Sequence, residues 1–362
     1  MKKEKKIISI LGTRPQYIKL APLSKQLAKI KEFEHIVINT GQHFDQEMSS
    51  DLFAILEMET PKYNLQINGG SHGNMTGRML IELEKLLLVE KPDIVLIYGD
   101  CDTTLAGVLS AVKLGIKTAH VESGLRSYNR TMPEEINRII TDHTADLLFC
   151  PTEVSLENLV SEGISNNSYL TGNLQIDLLK KCVKKYQDVS ILARNNLQPN
   201  NFILLTIHRH YNTDKQSLTT IFSQLKKIPK IIFLPIHPRT KKIILESEIE
   251  IPENIIIHPP ANYLEMTILE RNCCCIITDS GGVQVEAYFL KKRCFTVRPE
   301  TEWLETLKDG LNELVRLEDI FKQVNLFLNQ GENIIIERGQ TLNCSKEITK
   351  ILKNKLCVCF DI

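Results

Sequence analysis

Short apolar runs, each followed by a turn and then a helix-compatible segment, recur along this chain and restrict it to a narrow set of folds. In the first half, Ile7 to Leu11, His35 to Asn39, Ile94 to Tyr98, Thr118 to Glu122 and Leu147 to Cys150 read as strands. Runs that are apolar throughout suit parallel strands buried on both faces. Ile18 to Ile30, Met75 to Val89 and Thr104 to Leu114 read as the intervening helices. The polar stretch Asn195 to Asn201, with Pro199, reads as a loop, and beyond it the pattern restarts. Phe202 to Ile207, Ile231 to Ile236, Ile255 to His258, Cys273 to Ile277 and Cys294 to Val297 form the second set of strands. A doubly wound parallel sheet is the economical explanation of each half. At 362 residues the chain is too long for one ordinary core, so two such α/β domains facing across a cleft are expected.

Charge and cysteine usage narrow the partners. With 44 basic and 44 acidic residues, neither a nucleic-acid surface nor an anionic-membrane surface is expected. The 10 cysteines show no CxxC pairs, and Cys273 to Cys275 fall in a buried strand where thiols behave as small hydrophobes. Adjacent strand residues point to opposite faces, so that triplet is a poor metal site. The basic start Met1 to Lys6 precedes an apolar run too short for a signal core, and no stretch has the length of a membrane span. A cytoplasmic chain is expected.

Chemistry-bearing residues gather where open α/β sheets bind ligands, at the carboxyl ends of strands. Arg14, Asp100 and Glu122 each follow a strand, and Glu134 and Glu135 open a helix after Pro133. Paired carboxylates suit proton removal and return once burial or like-charge repulsion raises one pKa. His208, Arg209, His237 and Arg239 also stand at strand ends, where they suit a diphosphate. The stretch Thr278-Asp279-Ser280-Gly281-Gly282 leads into a helix carrying Glu286. It reads equally as an ordinary capped helix and as a phosphate cradle. HExxH, GxSxG, Walker and GxGxxG patterns are missing, which argues against metalloprotease, serine hydrolase, P-loop and dinucleotide chemistry.

Six segments in order carry a resemblance: Gly12-Thr13-Arg14-Pro15, Gly99-Asp100, His120 to Arg126, Pro133 to Arg138, His208-Arg209 and Thr278 to Gly282. Together they resemble the UDP-N-acetylglucosamine 2-epimerase family, from about residue 7 to about residue 330. The resemblance implies two Rossmann-like domains of GT-B-like architecture. The expected division is an N-terminal domain over 1–172 with catalytic carboxylates, a UDP-binding domain over 173–335 and a tail over 336–362. It also implies UDP elimination and re-addition at the sugar through a 2-acetamidoglucal, with no cofactor and no metal. By motif position Asp100, Glu122, Glu134 and His208 match the catalytic residues. Arg14, Ser280, Gly281, Gly282 and Glu286 match the nucleotide contacts, and Met266 the position next to uracil. Arg138, Arg209, His237 and Glu302 complete the candidate substrate contacts. A UDP-sugar is the expected partner, and a homodimer the expected assembly.

Three departures bear on substrate and regulation. Tyr211 stands where the family has glutamate after His-Arg, Trp303 stands where arginine is common, and Phe44 replaces an arginine after Gln42-His43. The last segment, with Gln46, belongs in many bacterial members to a second, activating UDP-sugar site. Glu302-Trp303, Glu286 to Phe289 and Ser127 to Arg130 are similar to a subgroup acting on UDP-2,3-diacetamido-2,3-dideoxyglucuronate. A non-hydrolysing 2-epimerase is the leading reading. The alternatives are that uronate epimerase, a hydrolysing epimerase, a glycosyltransferase of the same architecture, and a non-catalytic UDP-sugar sensor.

Overall fold

The structure, a computed structural model, describes residues 4–42, 53, 55–330 and 342–357. His43, Phe44 and Gln46, from the segment of the expected second site, lie outside the described residues. The described residues fall into two compact units, one within Met1–Leu178 with Gln340–Ile362 and one within Leu179–Gly339.

The N-terminal unit is a seven-stranded parallel sheet of β1 (Lys5–Leu11), β2 (Phe33–Asn39), β3 (Tyr63–Asn64), β4 (Ile94–Tyr98), β5 (Lys117–Val121), β6 (Leu147–Cys150) and β7 (Ser168–Leu170). Its order is β3-β2-β1-β4-β5-β6-β7. The chain winds outward from β1 to β3, then returns to pair β4 against β1, with Ile7 opposite Ile94. That reversal opens a crevice at the carboxyl ends of β1 and β4, where such sheets take ligands. Apolar side chains explain the burial. Ile8, Ile10, Ile36, Ile38, Val95 and Ile97 pack one face against Met75, Met79, Leu83 and Leu87 of the helix His72–Glu90.

The C-terminal unit repeats the plan with β8 (Phe202–Thr206), β9 (Ile231–Pro235), β10 (Ile255–His258), β11 (Cys275–Thr278), β12 (Arg293–Thr296) and β13 (Asn312–Leu314). The order is β10-β9-β8-β11-β12-β13, so its reversal lies between β8 and β11. Alternation along each strand divides two cores. Ile203, Leu205, Ile277 and Phe295 face one side, and Phe202, Leu204, Ile276 and Cys294 the other. The helix Cys344–Cys357 returns to the N-terminal unit, where Ser345 N–H and Oγ–H both donate to Asp177 Oδ2 at 2.8 Å. No helix among the described residues is long and apolar enough to cross a membrane.

The strand expected to run through Glu122 stops at Val121. Glu122 adopts φ 74°, which takes it out of the ladder, and its N–H donates to Phe149 O at 3.0 Å. The segment that follows is held by a buried network. Arg126, 1% exposed, gives Nη1–H to Asp142 Oδ2 at 2.6 Å and grips Glu162 with Nε–H and Nη2–H at 2.7 and 2.8 Å. Burial pushes the Asp142 carboxyl up, but His120 and Arg126 together hold it below its ordinary value. Gly124 passes through the same place with φ 78°, and a Cβ there would lie 2.1 Å from Ser155 O.

Backbone cannot yield as a flexible side-chain end does. Gly124→Ala is therefore expected to lower unfolding free energy by about 2–4 kcal/mol, read from denaturant melts. A loss within about 0.5 kcal/mol, the usual range of surface substitutions, would contradict this packing.

Candidate active site

Three strand ends meet at the reversal of the N-terminal sheet. After β1, Gln16 locks the turn: its Oε1 accepts Gly12 N–H at 2.7 Å, and its Nε2–H donates to Tyr98 O at 2.8 Å. That bond ties the end of β1 to the end of β4 and starts the helix Arg14–Leu27 beside it, with Arg14 half-buried in its first turn. Lys19 of the same helix reaches the carboxylate of Glu122 directly, the two side chains being 11% and 10% exposed. Gly99 leaves room for this contact. A Cβ there would sit 3.2 Å from Lys19 Nζ and 3.4 Å from Glu122 Oε2.

Burial raises the Glu122 carboxyl above its ordinary value; Lys19 pulls it back, while the nearby Asp100 charge pushes it further up. Asp100 is itself held by Arg138, which gives Nε–H and Nη2–H to Oδ2 at 2.9 and 2.6 Å. Asn137 Nδ2–H donates to Asp100 O at 2.9 Å. Behind them His120 bridges Gly99 O, 2.8 Å from Nε2, and Asp142 Oδ1, 2.6 Å from Nδ1. The structure thus brings Asp100, Glu122 and Arg138 together around one turn.

The paired acids of the helix Pro133–Thr144 separate clearly. Glu135, 1% exposed, accepts Ser127 N–H and Oγ–H at 3.0 Å, Tyr128 N–H at 2.8 Å and Arg138 Nη1–H at 2.6 Å. Its oxygens are taken up in fixing that loop. Glu134 is half-buried in the helix's first turn. On the far side of the sheet reversal, Gln42 Oε1 accepts Thr103 N–H at 3.0 Å and Oγ1–H at 2.8 Å.

In the C-terminal unit the reversal places His208-Arg209, after β8, beside Asp279, after β11. Asp279 is 0% exposed and accepts His208 N–H at 3.0 Å, Arg209 N–H at 2.8 Å and Asn212 Nδ2–H at 3.2 Å. The His208 ring lies across it, with Nδ1 3.2 Å from Oδ1. Burial pulls the His208 imidazole below its ordinary value; Asp279 opposes the fall, and Arg209 and Arg298 add to it. His237 lies 6.3 Å from His208 between ring centroids and caps the helix Pro238–Glu246, accepting Arg239 N–H on Nδ1 at 3.2 Å.

Ser280 caps the helix Gly281–Phe289 and accepts Val283 N–H at 3.5 Å. Gly281 has no room for a side chain, since a Cβ would lie 2.5 Å from Glu302 Oε1. Arg298 Nη2–H donates to Glu302 Oε2 at 2.8 Å, and Trp303 is 4% exposed behind them. The N-terminus of that helix, with the Arg298 guanidinium nearby, suits an anion. Further along, Glu286 accepts Tyr263 Oη–H at 2.8 Å, and Met266 is half-buried against the cluster holding Val283 and Ala287. Tyr211 is 45% exposed, and burial pushes its phenol up against the pull of Arg298 and Arg209. It therefore stays uncharged at neutral pH.

Lys19 and Asp279 were not singled out from the sequence. The signal for Lys19 was a lysine inside the apolar run Tyr17-Ile18-Lys19-Leu20-Ala21, and for Asp279 an acid directly at a strand's carboxyl end. Among the described residues no group of three or more His, Cys, Asp or Glu is arranged to hold a metal ion.

The comparisons with known proteins agree in one direction. A family model for UDP-N-acetylglucosamine 2-epimerase matches residues 25–346. A UDP-N-acetylglucosamine 2-epimerase homolog of Methanococcus maripaludis is 46% identical over 358 residues, covering 96% of this chain and 99% of the relative. The UDP-2,3-diacetamido-2,3-dideoxy-D-glucuronate 2-epimerase of Pseudomonas aeruginosa is 43% identical over 314 residues, covering 86% and 88%. A solved structure of Methanocaldococcus jannaschii UDP-GlcNAc 2-epimerase, in complex with UDP-GlcNAc and UDP, superposes with a TM-score of 0.89 at 42% identity, covering 96% of this chain and 99% of that one. With the family model spanning most of its length and relatives this similar, the chain belongs to the UDP-N-acetylglucosamine 2-epimerase family of isomerases.

Proposed function

We propose that the chain is a non-hydrolysing UDP-N-acetylglucosamine 2-epimerase. The observation that carries this reading is the turn around Gly99, where a buried Glu122 with a raised pKa meets Lys19 and the charge of Asp100. A carboxyl shifted toward neutrality exchanges protons with a weak carbon acid better than an ordinary one. One carboxylate takes the C2 proton while the C1–O bond to UDP breaks, the electron pair of the C2–H bond forming the C1–C2 double bond of a 2-acetamidoglucal. A proton then returns to C2 on the opposite face as UDP adds back to C1. Donors and acceptors are needed on both faces, which is why Asp100, Glu122 and Glu134 are assigned together.

The C-terminal unit is assigned the nucleotide. Ser280, Gly281 and Gly282 take the diphosphate at a helix N-terminus, with His208, Arg209 and His237 beside it, Glu286 on the ribose and Met266 on uracil. Arg14 and Arg138 serve the substrate from the N-terminal unit, and Glu302 supports the cradle through Gly281. Holding UDP through the elimination is what keeps the product a nucleotide sugar.

A second reading has its own support. The Pseudomonas aeruginosa uronate epimerase is about as similar as the N-acetylglucosamine enzymes, and Trp303 stands where arginine is common. Faster turnover of the diacetamido-uronate than of UDP-N-acetylglucosamine would select it.

Glu122→Gln and Glu134→Gln are each expected to cut kcat by about 100-fold or more while the Kd for UDP, by calorimetry, moves less than about threefold. Equal losses in both quantities would make these acids structural. Product analysis of the wild type is expected to show no free N-acetylmannosamine; its accumulation would point to the hydrolysing reaction.

The pH profile tests Glu122 separately. As a base it works deprotonated, so kcat/KM rises with pH through its raised pKa. Lys19 favours the carboxylate, so Lys19→Met raises that pKa further and moves the acidic limb to higher pH. A limb that stays in place, or moves to lower pH, would contradict the assignment.

A further inference from the structure

Glu270 is an acid of the C-terminal unit that the reaction, as assigned, does not use. It lies on the helix Tyr263–Asn272 and is 0% exposed, and neither carboxyl oxygen meets a hydrogen-bond donor among the described residues. An ionised carboxylate in that place is stripped of water with no donor among the described residues to offset the loss. A neutral acid needs only an acceptor for its O–H, and the acceptor at hand is the Glu286 carboxyl, which Tyr263 of the same helix already holds and whose charge bears on Glu270. Two carboxylates make that contact only when one of them carries a proton. Burial, then the Glu286 charge and this hydrogen bond, push the Glu270 carboxyl well above its ordinary range.

Glu286 is the partner better suited to hold the charge, because Tyr263 Oη–H already donates to its Oε1 at 2.8 Å. Tyr263 is 4% exposed, and burial together with Glu286 raises its phenol well above the ordinary value, so it remains a donor. Tyr263 and Glu270 stand two turns apart on one helix face, so two donors from one rigid element converge on one carboxylate.

From this cluster we propose that Glu270 is a positioning residue for the nucleotide: as a neutral acid it donates its proton to Glu286 and, with Tyr263, fixes the orientation in which that carboxylate accepts ribose hydroxyls. The proposal rests on the reading of Glu286 as the ribose contact. Glu270 touches no substrate itself; it acts through Glu286.

The test is calorimetric titration of the full chain with UDP and with 2′,3′-dideoxy-UDP, for wild type, Glu286→Gln, Glu270→Leu and Glu270→Gln. Wild type prefers UDP, and Glu286→Gln loses most of that preference. Glu270→Leu, which keeps no donor, weakens UDP about tenfold, narrows the preference and raises KM with kcat within about twofold. Glu270→Gln, whose amide N–H donates to Glu286, restores both affinity and preference. Where Glu270→Leu does not fold, infrared difference spectra decide: a protonated-carboxyl C=O band persists at mildly alkaline pH in wild type and is missing in Glu270→Gln. Unchanged preference in Glu270→Leu, failure of Glu270→Gln to restore it, or absence of the band overturns the proposal while leaving the ribose contact standing. Unchanged preference in Glu286→Gln overturns the ribose contact, and the proposal with it.

Discussion

Taking a carboxylate and an ammonium out of water costs several kcal/mol for each ion, and only close contact offsets it. Lys19 and Glu122 meet that condition at about one-tenth exposure each, and much of the N-terminal unit serves to hold them there. Gln16 fixes the start of the helix that brings Lys19. Gly99 clears the space, and the Arg126–Asp142–His120 network anchors the backbone on both sides of Glu122. A pair this buried is poor evidence of stability, because removing it for apolar groups is often neutral or better. Under the proposed function the pair serves instead to tune an acid. Burial lifts the carboxyl above its ordinary value and Lys19 holds it back, the balance that the proposed proton exchange at C2 would use.

The same economy separates the acids proposed for catalysis from structural ones. Asp279, Glu135 and Asp142 are close to fully buried and accept backbone amides or arginine, so their lone pairs are committed. Asp279 does for the C-terminal unit what Gln16 does for the N-terminal one. It binds the strand end carrying His208-Arg209 to the strand end carrying Ser280, across β8 and β11. Glu286 is different again: it takes the Tyr263 hydroxyl, and the acid that bears on it, Glu270, meets no donor among the described residues. Positions of strand ends are set by topology, but the fate of each carboxylate is set by which N–H groups surround it.

Much of this was legible in the sequence. The two sheets were visible because buried parallel strands leave unbroken apolar runs, as Ile94 to Tyr98 and Leu147 to Cys150 do. The edge strands Tyr63–Asn64 and Asn312–Leu314 were not, being two and three residues long and only partly buried. The strand expected over Thr118 to Glu122 ends one residue early, at Val121, because nothing in Val121-Glu122-Ser123 announces a positive φ on a glutamate. Candidates such as Arg14, Asp100, Glu122 and His208 follow strands, where topology alone puts ligands, and so could be proposed from the sequence. Lys19 and Glu270 escaped because both sit inside helices, where a charged residue between apolar neighbours reads as surface until its contacts are known.

The central claim is that a carboxylate of this chain removes and returns the proton at C2 of an intact UDP-sugar. Incubation in D2O with UDP-N-acetylglucosamine, and in parallel with the diacetamido-uronate, followed by NMR of the recovered nucleotide sugar, tests it most directly. Deuterium is expected at C2 of a sugar still linked to UDP, in both the starting sugar and its epimer. Recovery of either substrate with hydrogen at C2 and no epimer formed from either would contradict it.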